Sequence, residues 1–225
     1  MSDRPVALVT GASSGIGSAI ARSLAPTHDL LLGGRDETSL SVLAAELPGA
    51  QGWPFDLTDV ASADLSSVSR LDVVVHSAGV ALLGPLGEAT DEDWRRTFEV
   101  NVFAVASLTK LLLPALRAAS GQVVLINSGA GKNANPGWGV YAASKFALRA
   151  YADSLRADEP SLRVTSVFPG RTDTPMQHEV RRQEGGEYDA TQYLDPASVG
   201  RAVASAVLAT PDAHITEVVV RPRPR

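Results

Sequence analysis

Short runs of aliphatic and β-branched residues alternate with longer helical patterns along the whole chain. These runs are continuously hydrophobic, which is typical of strands that are buried on both faces of a parallel sheet. The runs occupy residues 6–10, 28–33, 52–55, 71–77, 121–128, 163–170 and 216–222. The alternation predicts an α/β fold in which a doubly wound parallel sheet lies between two layers of helices.

Helical patterns occupy the intervals between these runs, and after residue 170 a polar stretch comes before the last helix. They lie near residues 15–25, 36–46 and 59–67, from 90 to about 118, around Tyr141, and from 195 onwards. Thr90 or Asp91 can cap the long helix, and Asp195 followed by Pro196 can start the last one. No linker or repeat divides the chain, so we expect a single domain over 1–225 with its ligand at the carboxyl ends of the strands. The polar stretch at about 171–194 is predicted to be a lid-like substrate loop.

Composition excludes several classes of function. The chain has 20 Lys and Arg against 25 Asp and Glu, a net charge of −5, so no global positive field attracts nucleic acid or an anionic membrane. The absence of cysteine excludes disulfides, thiolate metal sites and cysteine nucleophiles. The histidines are scattered, and none is paired with another at the spacing of metal ligands. They are His28, His76, His178 and His214. Without an apolar signal core or a run of eighteen apolar residues, we expect a cytoplasmic protein with no metal, nucleic-acid or membrane partner.

A glycine-rich turn follows the first strand-like run. The stretch "TGASSGIG" (10–17) places Gly11, Gly15 and Gly17 between a strand and a helix. Glycines permit a tight turn and a close approach of an anion, and the helix N-terminus adds free amides and the positive end of a dipole. The turn therefore predicts a pyrophosphate site, although an ordinary strand-to-helix turn can carry the same glycines.

A second group of residues suggests proton transfer. Tyr141 and Lys145 are four residues apart on a predicted helix and so share one face. A phenol can protonate the alkoxide that hydride transfer creates, and a neighbouring ammonium favours the phenolate. Ser128 ends a predicted strand, where its hydroxyl could donate to a substrate oxygen. The alternative interpretation is a packed tyrosine, a solvated lysine and a turn-capping serine.

Seven short motifs occur in a recognisable order. They are "TGASSGIG" (10–17), "DLTD" (56–59), "SAG" (77–79), "NV" (101–102), Ser128, "YAASK" (141–145) and "PG" (169–170). In their order and spacing they resemble the short-chain dehydrogenase/reductase family, from residue 5 to about 220. One departure is His76, where the family often has asparagine. The resemblance implies a Rossmann-type sheet with strand order 3-2-1-4-5-6-7, a nicotinamide dinucleotide cofactor and a homodimer or homotetramer.

The resemblance also implies roles for individual residues. Ser128 would orient the carbonyl, Tyr141 would act as general acid/base, and Lys145 would bind the nicotinamide ribose as well. Asn101 would hold a water in the proton relay, and an asparagine among Val, Phe and Ala in a helix is otherwise locally unfavourable. The implied cofactor contacts are Gly11, Ser13, Ser14, Gly15, Ile16, Gly17, Arg35, Asp56, Leu57, Ala78, Gly79, Tyr141, Lys145, Pro169, Gly170, Thr172 and Thr174.

The end of the second strand-like run bears on the choice of cofactor. In "LLLGGRDE" (30–37), Gly34 stands where NAD-binding folds place an acid, and Arg35 follows it. Because a basic residue there can pair with a 2'-phosphate, both chemistry and resemblance predict NADP(H), with Ser13 assisting. NAD(H) is the less favoured alternative, since Asp36 could pair with Arg35 on the surface. By resemblance, Asp56 would contact the adenine amino group.

The predicted function is hydride transfer between NADP(H) and a small carbonyl or alcohol, such as a ketone, an aldehyde or a 3-hydroxy acid. Side chains that could line the substrate pocket are Trp138, Met176 and Tyr188. Three basic side chains could also pair with a carboxylate on the substrate, which keeps that substrate class open. They are Lys132, Arg181 and Arg182. The alternative is a dinucleotide-binding regulator or scaffold without turnover, and epimerases and dehydratases share the same tyrosine chemistry.

Overall fold

A computed structural model describes residues 4–63 and 68–223. Within them, seven parallel strands form one sheet in the order β3-β2-β1-β4-β5-β6-β7, which confirms the predicted strand order. The strands are β1 (Val6–Thr10), β2 (Asp29–Gly34), β3 (Ala50–Pro54), β4 (Val73–His76), β5 (Gln122–Ile126), β6 (Arg163–Pro169) and β7 (Glu217–Val220).

Helices connect consecutive strands. They are α1 (Gly15–Leu24), α2 (Glu37–Glu46), α3 (Asp91–Phe98), α4 (Ala104–Ala119), α5 (Gly139–Asp158), α6 (Pro175–Gln183) and α7 (Pro196–Val207). A π-helical turn, Glu99–Phe103, joins α3 to α4. Of the helix predicted near 59–67, the structure shows a 3-10 helix at Leu57–Ser62, and residues 64–67 lie outside the described residues. Further 3-10 turns are Gly129–Gly131 and Ala190–Gln192.

Alternate residues of the strands point to opposite faces of the sheet. Val73 and Val75 belong to the core that α1, α2 and α7 cover, whereas Val74 belongs to the core beneath α4 and α5. Both sets are buried, as a sheet covered on both faces requires. The result is the predicted three-layer arrangement, with the carboxyl ends of all strands along one edge.

The helical stretch Asp91–Ala119 is long and apolar enough to cross a membrane by length and composition alone. Its residues Leu108, Leu112 and Leu116 are buried against the sheet. The apolar stripe of this stretch therefore forms part of the protein core.

The polar stretch after β6 differs from the prediction, because it contains the helix α6 where the sequence predicts a loop. Thr174 caps this helix by accepting a hydrogen bond from the Gln177 amide at 3.2 Å, and Pro175 occupies the first turn. Only Gln177 and Val180 of α6 are buried. So few inward-facing residues leave little hydrophobic periodicity from which a helix can be predicted.

Candidate active site

A cleft of about 720 Å³ opens at the carboxyl edge of the sheet. Its walls come from the turn after β1, the loop after β4, the end of β5, the start of α5, and α6. Of the predicted site residues, all except Asn101 line this cleft, and Asn101 lies directly behind it. The structure therefore brings together residues as far apart in the chain as Gly11 and Thr174. They meet at the carboxyl edge of the sheet, where a doubly wound fold binds its ligand.

The glycine-rich turn packs so closely that side chains are excluded. A Cβ on Gly17 would lie 2.2 Å from the Gly11 carbonyl oxygen, and one on Gly11 would lie 2.8 Å from the Ala78 nitrogen. Thr10, which is buried, accepts hydrogen bonds from the amides of Ser77 at 3.1 Å and Ala78 at 3.3 Å. The turn and the loop after β4 thus form one continuous wall built on backbone contacts.

The N-terminus of α1 is uncapped, unlike most other helix starts in the described part of the chain. Ser14 makes no side-chain cap, and the first turn holds no acidic residue. By contrast, Asp36, Thr90 and Asp195 each cap the helix that follows. Open amides and an uncompensated dipole facing the cleft suit an anion, so this end of the cleft fits the pyrophosphate of a dinucleotide.

Ser128 and Tyr141 meet in the cleft. The Ser128 Oγ accepts a hydrogen bond from the Ala130 amide at 3.1 Å. The hydroxyl hydrogen of Ser128 is therefore free, and Ser128 is hydrogen-bonded to the Tyr141 hydroxyl. Burial raises the pKa of the Tyr141 phenol, and the bond from Ser128 partly offsets this. The phenol is therefore protonated near neutral pH and can donate its proton to a nascent alkoxide.

Lys145 lies beside this pair. Its ammonium is buried, donates to the Ile126 carbonyl at 3.0 Å and lies 5.8 Å from the centroid of the Tyr141 ring. Burial lowers the pKa of Lys145 to about 8. The lysine is thus charged at neutral pH, and its charge can stabilise a phenolate at Tyr141.

Asn127 is a positioning residue that the sequence reasoning missed. Its Nδ2 donates to the Lys145 carbonyl at 3.0 Å, and its Oδ1 accepts from the Ser128 amide at 2.8 Å. It thereby ties α5 to the end of β5 and fixes the serine relative to the lysine. The available clue was a polar residue directly after a strand that is buried throughout.

Asn101 lies in the π-helical turn between α3 and α4. Its Oδ1 accepts from the Val80 amide at 2.9 Å, while its Nδ2 donates to the Val80 carbonyl at 2.9 Å and to the Ser144 hydroxyl at 3.0 Å. The side chain thus braces the loop after β4, and both amide hydrogens are used. The water-holding role of Asn101 stays a prediction.

His76 is neutral in this fold. Burial lowers its pKa to about 3. Its Nε2 lies 2.9 Å from the Thr109 hydroxyl, which itself donates to the Val105 carbonyl at 2.8 Å, so Nε2 carries the proton. The histidine thus links the end of β4 to α4 behind the cleft.

The end of β2 forms the far side of the cleft. A Cβ on Gly34 would lie 3.8 Å from the Ser13 hydroxyl, so these two residues adjoin. Arg35 is exposed and lines the cleft. Asp36 accepts from the Ser39 amide at 3.1 Å and the Ser39 hydroxyl at 2.5 Å, so its carboxylate caps α2. This cap accounts for Asp36 without a surface pair to Arg35.

Asp56 follows β3 and also lines the cleft. Its Oδ1 accepts from both the amide and the hydroxyl of Thr58, each at 2.8 Å. The bond from the Thr58 amide is the largest cause of the lowered pKa of Asp56, and the charge of Arg35 adds a small contribution. Asp56 and Arg35 therefore interact electrostatically at the same end of the cleft.

The segment 171–194 reaches across the cleft. A Cβ on Gly15 would lie 3.1 Å from the Thr174 methyl group, so α6 begins against the glycine-rich turn. The Thr172 hydroxyl donates to the Gly170 carbonyl at 3.0 Å, and Thr172 pairs with Leu194 in an isolated bridge. Both the start and the finish of this segment are therefore held close to the carboxyl end of β6.

Two of the three predicted pocket-lining side chains face the cleft, namely Trp138 and Met176. Tyr188 does not line it, because its ring stacks on His178 with the centroids 3.5 Å apart and its hydroxyl bonds to Asp173. The predicted basic residues are occupied by carboxylates, with Lys132 2.6 Å from Glu217, Arg181 2.8 Å from Glu184 and Arg182 2.5 Å from Glu179. These pairings remove the sequence argument for a carboxylate-bearing substrate.

The chain matches known proteins over most of its length. A family model described as short chain dehydrogenase matches residues 5–185. An uncharacterised oxidoreductase of Staphylococcus epidermidis is 32% identical over 228 residues, which cover 96% of each chain.

Solved structures give the same result. An alcohol dehydrogenase from the archaeon Thermococcus sibiricus, complexed with 5-hydroxy-NADP, superposes with a TM-score of 0.89 at 28% identity, covering 99% of this chain and 100% of that one. A variant of actinorhodin polyketide ketoreductase with NADPH gives a TM-score of 0.87 at 28% identity, covering 98% and 97%. The similarity in fold therefore extends over nearly the whole chain.

Proposed function

The chain belongs to the short-chain dehydrogenase family, and from that premise we propose that it is an NADP(H)-dependent oxidoreductase acting on a small carbonyl or alcohol. The observation that carries the proposal is the contact between the Ser128 and Tyr141 hydroxyls beside a buried Lys145. A regulator that only bound the cofactor would have no chemical need for this arrangement.

The proposed mechanism assigns one task to each side chain. When bound, the cofactor supplies or accepts the hydride. Ser128 donates a hydrogen bond to the carbonyl oxygen as negative charge develops on it. Tyr141 gives its proton to that oxygen during reduction and takes it back during oxidation. Lys145, charged at neutral pH, stabilises the phenolate left on Tyr141.

We further propose that NADP(H) is preferred over NAD(H). In support, the end of β2 offers Gly34 and Arg35 instead of a carboxylate, Ser13 adjoins Gly34, and Asp36 is engaged in capping α2. A guanidinium and a hydroxyl suit a 2'-phosphate, whereas an acid would suit a free 2'-hydroxyl. Two similar structures contain NADPH or an NADP derivative.

The proposed substrate is a compact ketone, aldehyde or the corresponding alcohol, bound under the lid-like segment 171–194 of a single domain. Apolar side chains near Tyr141 support this choice, because Val180, Trp138 and Ala81 pack in one cluster with it. The names of the two similar structures, an alcohol dehydrogenase and a ketoreductase, agree with this class.

We also propose that the chain forms a homodimer or homotetramer. Phe103, Leu111 and Phe146 are 53%, 47% and 42% exposed in the single chain. Large exposed apolar side chains favour burial against a second copy. Light scattering measures the molar mass of the assembly in solution. The mass of a monomer at micromolar concentration would contradict the proposed homodimer or homotetramer.

NADPH oxidation against a panel of small ketones and aldehydes tests the proposed function. Tyr141→Phe should lower kcat about 10²-fold to 10⁴-fold, the usual contribution of a general acid, and leave the Kd for NADPH unchanged. Tyr188→Phe is the matched control, since that ring lies outside the cleft lining, and it should change kcat by less than about threefold.

Full activity of Tyr141→Phe would refute the role of the tyrosine. Tight NADPH binding by the wild type without reduction of any carbonyl in the panel would favour the regulator instead.

A further inference from the structure

Gln177 carries a buried polar atom with no partner. The residue is only 6% exposed and lines the cleft, yet no hydrogen-bond acceptor for its Nε2 is found among the described residues. A buried donor without an acceptor destabilises the folded protein. A donor of this kind on a residue that lines the cleft is available to a group that binds there.

The position of Gln177 on α6 points to the centre of the cleft. Thr174, three residues earlier, abuts Gly15 of the glycine-rich turn. Val180, three residues later, packs in the cluster that contains Tyr141. Residues three apart share a helix face, so Gln177 lies between the phosphate end of the cleft and the proton donor. With Tyr141 as the proton donor, groups attached to the reacting carbon would lie near this region.

A second glutamine on the same helix provides the contrast. Gln183 uses both ends of its amide, because its Oε1 accepts from the Leu83 amide at 2.7 Å and its Nε2 donates to the Ala81 carbonyl at 3.2 Å. That residue holds α6 against the loop after β4. Gln177 has no comparable structural task for its nitrogen.

We propose that Gln177 donates a hydrogen bond to a carbonyl oxygen held beside the reacting carbon. The oxygen is a second carbonyl oxygen of the substrate, as in a keto ester or a diketone, or the carboxamide oxygen of the nicotinamide. The terminal amide torsion of glutamine is broad, so the amide can turn its nitrogen towards such an oxygen. The inference rests on the proposed function, and its test separates the two sources.

The substrate arm compares ethyl acetoacetate with methyl butyl ketone, which lacks the second carbonyl group. If the substrate supplies the oxygen, Gln177→Leu lowers kcat/KM for the keto ester about tenfold and for the plain ketone less than about twofold, as expected for one lost hydrogen bond. Gln183→Leu is the matched control on the same helix, and it should lower both values by the same factor because it loosens α6 as a whole.

The cofactor arm measures the Kd for NADPH by fluorescence. If the nicotinamide carboxamide supplies the oxygen, Gln177→Leu raises this Kd about tenfold and slows both substrates in parallel. Circular dichroism establishes that the variant is folded.

A folded Gln177→Leu that leaves both the substrate ratio and the Kd for NADPH unchanged overturns the inference. If the wild type reduces neither compound, that result counts against the proposed function and not against the inference. The Kd for NADPH alone then decides the role of Gln177.

Discussion

The two sides of the cleft are held by different kinds of interaction. The cofactor side is made of backbone turns fixed by close contacts, such as the approach of Gly17 to the Gly11 carbonyl. The substrate side, segment 171–194, is held largely by side-chain pairs, with Glu184 bonded to both Arg171 and Arg181. A backbone turn of the first kind tolerates almost no substitution, whereas side-chain pairs can be exchanged for other pairs. The substrate side is therefore the part that can vary in specificity.

The same substitution on each side should show this difference most strongly. Gly17→Ala places a methyl group 2.2 Å from a backbone oxygen, so we expect a loss of about 3 kcal/mol or more in the free energy of unfolding, and a Kd for NADPH at least about tenfold higher. Gly185→Ala meets only a positive φ of 68° and open space, so about 1–2 kcal/mol is expected, with an unchanged Kd.

Urea unfolding and NADPH fluorescence measure the two quantities. Equal losses of stability in the two glycine variants would contradict the distinction between the sides.

A charge reversal at the far end of the cofactor side should have the next largest effect. Arg35→Asp removes the proposed 2'-phosphate partner and adds repulsion, so the Kd for NADPH should rise about 10²-fold and the Kd for NADH should change less than about threefold. Arg201→Asp makes the same charge change on the exposed surface of α7 and should alter neither value. Equal weakening of both cofactors by Arg35→Asp would overturn the assignment of the 2'-phosphate.

The smallest effect is expected from the pair that holds the substrate side. Hydrogen bonding to Arg171 is the largest cause of the lowered pKa of Glu184, about 2. A lowered pKa stabilises the folded protein above the unfolded value and loses that stabilisation as the pH falls towards 2, so the contribution is complete at neutral pH. Glu184→Gln should therefore lower kcat/KM a few-fold at neutral pH and leave the Kd for NADPH unchanged.

The same variant should speed tryptic cleavage within 171–194, where Arg171, Arg181 and Arg182 supply cleavage sites. Glu187→Gln changes an exposed carboxylate in the same segment and is the control. If both variants are cleaved at the wild-type rate, Glu184 does not hold the segment.

The cofactor side was also easier to predict from the sequence than the substrate side. The strands and the glycine-rich turn were predictable, because continuous hydrophobic runs and glycines at fixed spacing reflect backbone requirements. The order of the strands followed from the family resemblance alone. The grouping of Ser128, Tyr141 and Lys145 followed from strand ends and helix periodicity together with the family resemblance.

The substrate side was less predictable for a physical reason. Helix α6 buries only two residues and so has almost no hydrophobic periodicity. Asn127 and Gln177 act through hydrogen bonds, made or missing, that depend on which elements the fold brings together. The sequence predicts that Tyr188 lines the substrate pocket, but its aromatic ring stacks on His178 instead. Pairings of this kind have no signature in residue spacing.

A double-mutant cycle tests the central claim, which is that Tyr141 and Lys145 act as one proton-transfer unit at the cofactor cleft. The measurement is the single-turnover rate of NADPH oxidation with saturating carbonyl for the wild type, Tyr141→Phe, Lys145→Met and the double variant. Groups that act together are strongly non-additive, so the double variant should be no slower than the slower single variant within about threefold. Losses that multiply would show that the two residues act independently and would contradict the account.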